Sequence, residues 1–224
     1  MAGITLAMDA ASGTGTVAAL RDGVIVAERN VVMRSENEER FIPAVLATLG
    51  EVGAEPRTLS RIVCGAGPGS FTSLRVAGAC AKGLAFGGGV PLFAVPSLAL
   101  IVAASDGTRA PGSRWLATLD AMRGDRYLAL VTIGADGMLA SYESLGLAAA
   151  TEVDARAQAL EATRIGPGEA LDAAPHARGV ARCAALIDAA GPVVLASWEP
   201  VYGRLAEAQV KWEAAQGRPL GPLA

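Results

Sequence analysis

The apolar positions of the first hundred residues fall into two rhythms. A short apolar run at residues 4–8 and strand-like runs at 16–20 and 24–32 predict three strands, the first ending at Asp9 and the last two joined by Arg21-Asp22-Gly23. An Asp-Gly pair between two apolar runs is a strong hairpin signal, because both residues tolerate positive φ. Residues 36–49 then change to helical spacing, with Phe41, Val45, Leu46 and Leu49 on recurring turns. Pro43 fits that helix only if it stands in the first turn. A strand over 61–65, a small-residue helix over 72–86, a buried strand over 92–95 and an apolar helix over 97–104 follow.

The same order then begins again. Trp115-Leu116-Ala117-Thr118-Leu119-Asp120-Ala121 repeats the character of Ile4-Thr5-Leu6-Ala7-Met8-Asp9-Ala10, and a second Asp-Gly pair, Asp136-Gly137, joins apolar runs at 127–133 and 138–142. Matching order and register predict a duplicated β-β-β-α-β-α plan. The first lobe spans 1–104, a polar, turn-rich linker 105–113 and the second lobe 114–224. The second lobe adds a helix over 152–162, a Gly166-Pro167-Gly168 turn, a helix over 178–190, a last strand over 193–195 and a frayed tail from Gly217. Two α/β lobes with mixed sheets are similar to the actin-like ATPase and sugar-kinase superfold, in which nucleotide binds between the copies. That superfold hosts kinases, chaperones and inactive scaffolds alike.

Composition narrows the chemistry. Of 224 residues, 52% are hydrophobic and 18% charged, ample for a buried core, and 19 basic against 22 acidic residues leave a net charge of −3 with no basic face for nucleic acid. One histidine, His176, cannot build a two-histidine metal site or supply an H-E-x-x-H motif. The three cysteines, Cys64, Cys80 and Cys183, are odd in number, contain no C-x-x-C and read as buried small residues of a reducing compartment. The opening residues lack a signal-peptide pattern, and the apolar run 90–104 is broken by Pro91 and Pro96, so a cytoplasmic protein is expected. His176 lies in a loop approaching a helix, where an exposed or capping role is usual, and burial is the default for Trp198, Tyr202 and Trp212.

The densest motif is Cys64-Gly65-Ala66-Gly67-Pro68-Gly69-Ser70-Phe71-Thr72-Ser73-Leu74-Arg75, where a buried strand runs through glycines into a helix capped by Ser70 or Thr72. Free N–H groups at such a place could hold an anion, but neither G-x-G-x-x-G nor a P-loop is present, and a tight strand-to-helix connection is the favoured reading. In the helix that follows, Ala77, Gly78, Ala81 and Ala85 recur on neighbouring turns. They serve either packing on the chain's own sheet or close approach of a partner helix. Asp9 and Asp120 each end a first strand, where an ATPase of this superfold would orient magnesium or the attacking group. Ser12, Thr14 and Thr16 offer hydroxyls after Asp9, yet Ala10 and Ala11 open that turn and Ala121-Met122-Arg123-Gly124-Asp125 is a poor cradle, so Asp9, Ser12, Thr14 and Asp120 describe a vestigial nucleotide site.

Gly67-Pro68-Gly69-Ser70-Phe71-Thr72-Ser73-Leu74-Arg75, with Ala81-Lys82-Gly83-Leu84-Ala85, Val90-Pro91-Leu92, Val95 and Ser97-Leu98, resembles the signature of the TsaB (YeaZ) family. The likeness extends to the Asp9 strand, residues 35–43, Asp120-Ala121-Met122-Arg123-Gly124-Asp125-Arg126-Tyr127 and Pro200-Val201-Tyr202-Gly203-Arg204. The chain departs from the family at Ser73, usually Gly, at Ala10 and Ala11, usually small hydroxyl residues, and at Asn37-Glu38-Glu39, commonly His-Ser-Glu. The resemblance implies a non-catalytic subunit in forming threonylcarbamoyladenosine at position 37 of tRNAs reading codons that begin with A. Its catalytic paralogue, TsaD, transfers threonylcarbamoyl using a histidine-held metal, and a small P-loop ATPase, TsaE, completes the complex. No cofactor is implied for this chain, tRNA contact is indirect, and a homodimer is possible when it is alone. The expected interface is Phe41 and Val45 of the first helix with Leu74, Ala77, Gly78, Ala81 and Ala85 of the second. Gly67, Pro68, Gly69, Ser70, Phe71, Thr72 and Arg75 form the signature loop. Alternatives are a small-molecule kinase or ATPase of the same superfold and, against the histidine count, a peptidase.

Overall fold

A computed structural model of the chain describes residues 3–33, 39–203 and 216. Expectations for 36–38, Arg204, Trp212 and the tail from Gly217 lie outside the described residues. The first sheet comprises β1 (Ile4–Asp9), β2 (Thr14–Arg21), β3 (Val24–Val32), β4 (Leu59–Gly65) and β5 (Leu92–Val95) in the order β3-β2-β1-β4-β5. The second comprises β6 (Arg114–Asp120), β7 (Asp125–Ile133), β8 (Leu139–Ala149), β9 (Thr163–Gly166) and β10 (Leu171–Asp172) in the order β10-β9-β6-β7-β8. Each sheet pairs its first three strands antiparallel and adds its last two in parallel to its first strand. The repeat read from the sequence is therefore a repeat of topology, the duplicated actin-like α/β fold. Asp22 and Gly23 close the β2–β3 hairpin with φ of 52° and 79°, the left-handed pair that a two-residue turn requires.

Helix α1 (Phe41–Glu51) begins five residues later than its spacing predicted, with Pro43 in its first turn, where no N–H needs an intrahelical partner. Glu39 supplies the missing acceptor, its Oε1 taking the N–H of Phe41 at 2.7 Å and of Ile42 at 3.2 Å. Helices α2 (Phe71–Gly88) and α3 (Ser97–Ala104) fall where expected. The second half departs further. The helix expected over 152–162 shortens to α4 (Val153–Ala159), and that over 178–190 divides into a 3-10 turn, Ala177–Arg182, and α5 (Ala184–Ala190). Residues 193–195 form no strand. Gly191-Pro192 precedes them, Val194 is 71% exposed, and pairing is confined to Val193 N–H with the Leu92 carbonyl beside a bridge from Pro192 to Phe93.

Helix α3 determines how the halves meet. All eight of its residues are buried, and its core joins Ala7, Val63 and Val95 of the first sheet to Trp115, Ala117 and Val131 of the second. An apolar helix thus packs against both sheets. Arg182, 6% exposed, closes the far end of α3, its guanidinium donating to the carbonyls of Val102, Ala103, Ser105, Thr108 and Gly137 and to the Thr108 hydroxyl. The polar segment after α3 is accordingly anchored at its start. Among the described residues no helix is long and apolar enough to cross a membrane.

Leu100→Ala, inside α3 at 0% exposure, is expected to cost about 2–5 kcal/mol in denaturant unfolding. Val24→Ala, at 66% exposure on the edge strand, should stay within about 0.5 kcal/mol.

Candidate functional site: the signature loop and its helix pair

The loop from β4 to α2 is built around a carboxylate without access to water. Asp9, 0% exposed at the end of β1, accepts the Ala11 N–H at 2.9 Å and the Ser97 hydroxyl at 2.5 Å. Burial pushes its carboxyl above the ordinary carboxylate range, against the lowering effect of those two hydrogen bonds. Ser97 Oγ accepts in turn the Gly67 N–H at 3.0 Å, and the Ser97 N–H bonds the Gly67 carbonyl at 2.9 Å. Gly65 has to be glycine, because a Cβ there would stand 1.9 Å from Asp9 Oδ2. Gly67, at φ +83°, has a second reason: its Cβ would meet the Val201 carbonyl oxygen at 2.3 Å. The Gly67–Pro68 peptide is cis.

These contacts decide between the two readings of the loop. The N–H groups of Ala66, Gly67 and Ser70 are already engaged, by Val95, Ser97 and Ala11 respectively. Gly69 seats its backbone against Ala11, whose carbonyl accepts the Ser70 N–H at 2.8 Å, so the turn after β1 lies under the loop with Ala10 and Ala11 buried. A tight strand-to-helix connection accounts for all of this. Ser12 bonds only the Thr14 backbone, and the four residues of the vestigial nucleotide site are not equivalent. Asp9 is interior, whereas Asp120 is exposed and accepts the Met122 N–H at 3.0 Å. Ser70 occupies the N-cap position of α2, with its hydroxyl 3.0 Å from that of Ser73, and Thr72 is exposed in the first turn.

The small-residue face of α2 packs on this chain itself. Phe41, Val45, Ala77, Ala81 and Ala85 belong to one core with Leu6, Ile62 and Leu92, and Leu74 belongs to the core around α3. Gly78 is covered by Pro200, which a Cβ there would approach to 3.1 Å, with Trp198 just beyond. Residues 198–203 form a strap across α2 and the loop. Lys82 donates to the Trp198 carbonyl at 3.0 Å, Val201 N–H to Ala66 at 2.7 Å, and Tyr127 of the second sheet to the Tyr202 carbonyl at 3.1 Å. The Phe71 and Tyr202 rings lie 4.6 Å apart, with the Arg75 guanidinium 5.2 Å from the Phe71 ring centre. The expected interface residues are therefore interior, and the assignment of that face to a partner needs correction. Close approach is used, but by the sheet and the strap.

What the helix pair presents outward is also apolar. On α1 the exposed positions are Ile42, Pro43, Leu46, Ala47 and Gly50 before Glu51, and on α2 Thr72, Arg75, Ala79, Gly83 and Phe86 recur along one stripe. Ile42, Leu46 and Phe86 are 46%, 55% and 83% exposed. These residues escaped the spacing argument, although one signal was present: α1 has a single charged residue and hence no polar face for water. Among the described residues no three His, Cys, Asp or Glu side chains cluster as metal ligands. The cysteines are free, Cys64 and Cys183 buried and Cys80 partly so, with burial pushing the Cys80 thiol up to about 11.

Duplicated mixed sheets closing on a shared helix define a protein of the actin-like ATPase and sugar-kinase superfold. A family model described as TsaD: tRNA N6-adenosine threonylcarbamoyltransferase matches residues 32–169, more than half of the chain. The TsaB threonylcarbamoyladenosine biosynthesis protein of Bacillus subtilis (strain 168) is 34% identical over 128 residues, 56% of this chain and 53% of that protein. Its namesake from Escherichia coli (strain K12) is 33% identical over 124 residues, 55% of this chain and 53% of that one. The chain thus spans about half the length of the curated relatives it matches. The solved structure of YeaZ from Pseudomonas aeruginosa is 27% identical with a TM-score of 0.69, covering 89% of this chain and 99% of that one. The chain belongs to this threonylcarbamoyladenosine family, in its TsaB (YeaZ) group.

Gly65→Ala, which forces a methyl into the Asp9 carboxylate, should cost about 1–3 kcal/mol in urea unfolding. Asp9→Ala should cost a similar ~1–3 kcal/mol by leaving the Ser97 hydroxyl and Ala11 N–H unmet.

Proposed function

We propose that this chain is a non-catalytic scaffold in the formation of threonylcarbamoyladenosine at position 37 of tRNAs reading codons that begin with A. In this reading it binds and activates a catalytic paralogue of the TsaD type, with a TsaE-type ATPase completing the complex and tRNA held indirectly. The observation that carries it is the outward face of α1 and α2, where two adjacent helices leave Ile42, Leu46 and Phe86 in water with Arg75 as the one charge on the α2 stripe. Solvent-facing helices are ordinarily polar, and an apolar helix face left exposed is a place for another protein. One fact about the interior supports the absence of catalysis by this chain: Asp9 is sealed in a hydrogen-bonded seat. The kinase reading would need an open cleft served by Asp9 and Asp120 together. A second copy is the natural occupant of the same face when the paralogue is absent, and the compartment is the cytoplasm.

Leu46→Asp and Phe86→Asp should leave thermal unfolding within a few degrees of wild type while weakening binding to the catalytic paralogue by about tenfold or more each, measured by titration calorimetry. Ala81→Trp, at 0% exposure, should instead destabilise the fold by about 1–3 kcal/mol or more. Unchanged affinity in both aspartate variants would remove this face as the docking surface.

A further inference from the structure

The single histidine of the sequence stands where the second half of the chain closes on the first. His176 caps the 3-10 turn Ala177–Arg182. Its Nδ1 accepts the Arg178 N–H at 3.1 Å, and its Nε2 lies 2.8 Å from Oδ1 of Asn30 on β3. A ring nitrogen that accepts a backbone amide carries no proton, so the neutral ring must hold its proton on Nε2 and donate it to Asn30. Turning the Asn30 amide to offer its NH2 would require both nitrogens to accept, which no neutral imidazole with one N–H does. The arrangement therefore depends on one uncharged tautomer.

Its neighbours tie the same seam. Ala177 N–H donates to Thr16 Oγ1 at 2.9 Å, Arg178 Nε donates to the Ala104 carbonyl at 3.1 Å, and the Arg178 guanidinium is 3.6 Å from Glu28. Beside them lies a cavity of about 350 Å³ between Thr14, Thr16 and Asn30 of the first sheet and the loop that carries Asp172 and His176.

We propose that His176 is a proton-operated latch, whose protonation removes its cap on the Arg178 N–H and loosens the start of the 3-10 turn beside the cavity. The added proton takes the Nδ1 lone pair, so two N–H groups then face each other and the Arg178 cap is lost, while the Nε2–H still donates to Asn30 Oδ1. The charged groups around the ring pull in both directions: Arg178 of its own turn opposes the imidazolium, while Glu28 of β3 and Asp172 across the cavity favour it. Burial first, then Arg178, holds the His176 pKa below its ordinary value of 6.5 despite Glu28. The stability contributed by the neutral ring is thus fully present above 6.5 and is lost as the pH falls from there through the lowered folded value.

One histidine makes the test direct, since its ring signals in an NMR titration need no assignment. Backbone amide exchange of Arg178, corrected for intrinsic rates, is followed over the same pH series. The expected result is a midpoint below 6.5 and an open population at Arg178 that rises about fivefold across it, the change that loss of one helix cap produces. His176→Asn, whose amide oxygen caps at every pH, should keep the Arg178 protection flat. Arg178 protection unchanged through the wild-type titration would overturn the latch, as would acid opening of equal size in His176→Asn. The wild-type series decides the matter if that variant does not fold.

Discussion

A carboxylate sealed from water holds the first sheet to the signature loop and to the helix that packs against both sheets. Asp9 cannot relax toward solvent, so its partners are obligatory: Ser97 Oγ on one oxygen and the Ala11 N–H on the other. Ser97 is also the first residue of α3 and the acceptor for Gly67, which places the end of β1, the start of α3 and the turn into α2 in one hydrogen-bonded unit. At the other end of α3, Arg182 collects the last carbonyls of the helix. A helix buried on every side and fixed at both ends leaves the two sheets little freedom to hinge. The cavity lined by Thr14, Asn30 and His176 lies at the edge of this shared core.

The same economy explains the signature loop. Each of its glycines marks a place where backbone or carboxylate comes too close for a side chain, Gly65 against Asp9, Gly67 against Val201 and Gly69 against Ala11. A helix entered through so tight a connection has its orientation set by the sheet and by the strap 198–203, and α1 lies beside it. In the proposed reading, two helices rigidly held with apolar residues on their outer faces serve as a preformed surface for the partner, and preorganisation of that kind reduces the ordering cost of binding.

Much of this was legible in the sequence because it rests on local signals. The apolar runs of β1 to β3, the Asp-Gly hairpins and the recurrence of the whole pattern after Asp120 led directly to the duplicated topology. Strands β9 and β10 left no such trace, being four and two residues long, and 193–195 looked like a strand only because Val193 and Leu195 are apolar while Gly191-Pro192 prevents a ladder. The direction of the small-residue face of α2 was the deeper ambiguity. Ala77, Gly78 and Ala81 carry the same spacing whether a sheet or a partner approaches them, so spacing alone could not assign the side. The composition of the opposite face bears on it: Ile42, Leu46, Ala79 and Phe86 stand there with Arg75 as the one charge on the α2 stripe.

Reconstituted threonylcarbamoylation of tRNA with the catalytic paralogue, in the presence and absence of this chain, tests the central claim most directly. The scaffold reading predicts that modification depends on the chain, that the chain alone turns over no ATP, and that Asp120→Ala leaves the supported rate unchanged. ATP hydrolysis by the chain alone, lost in Asp120→Ala, would contradict it and make this an enzyme in its own right.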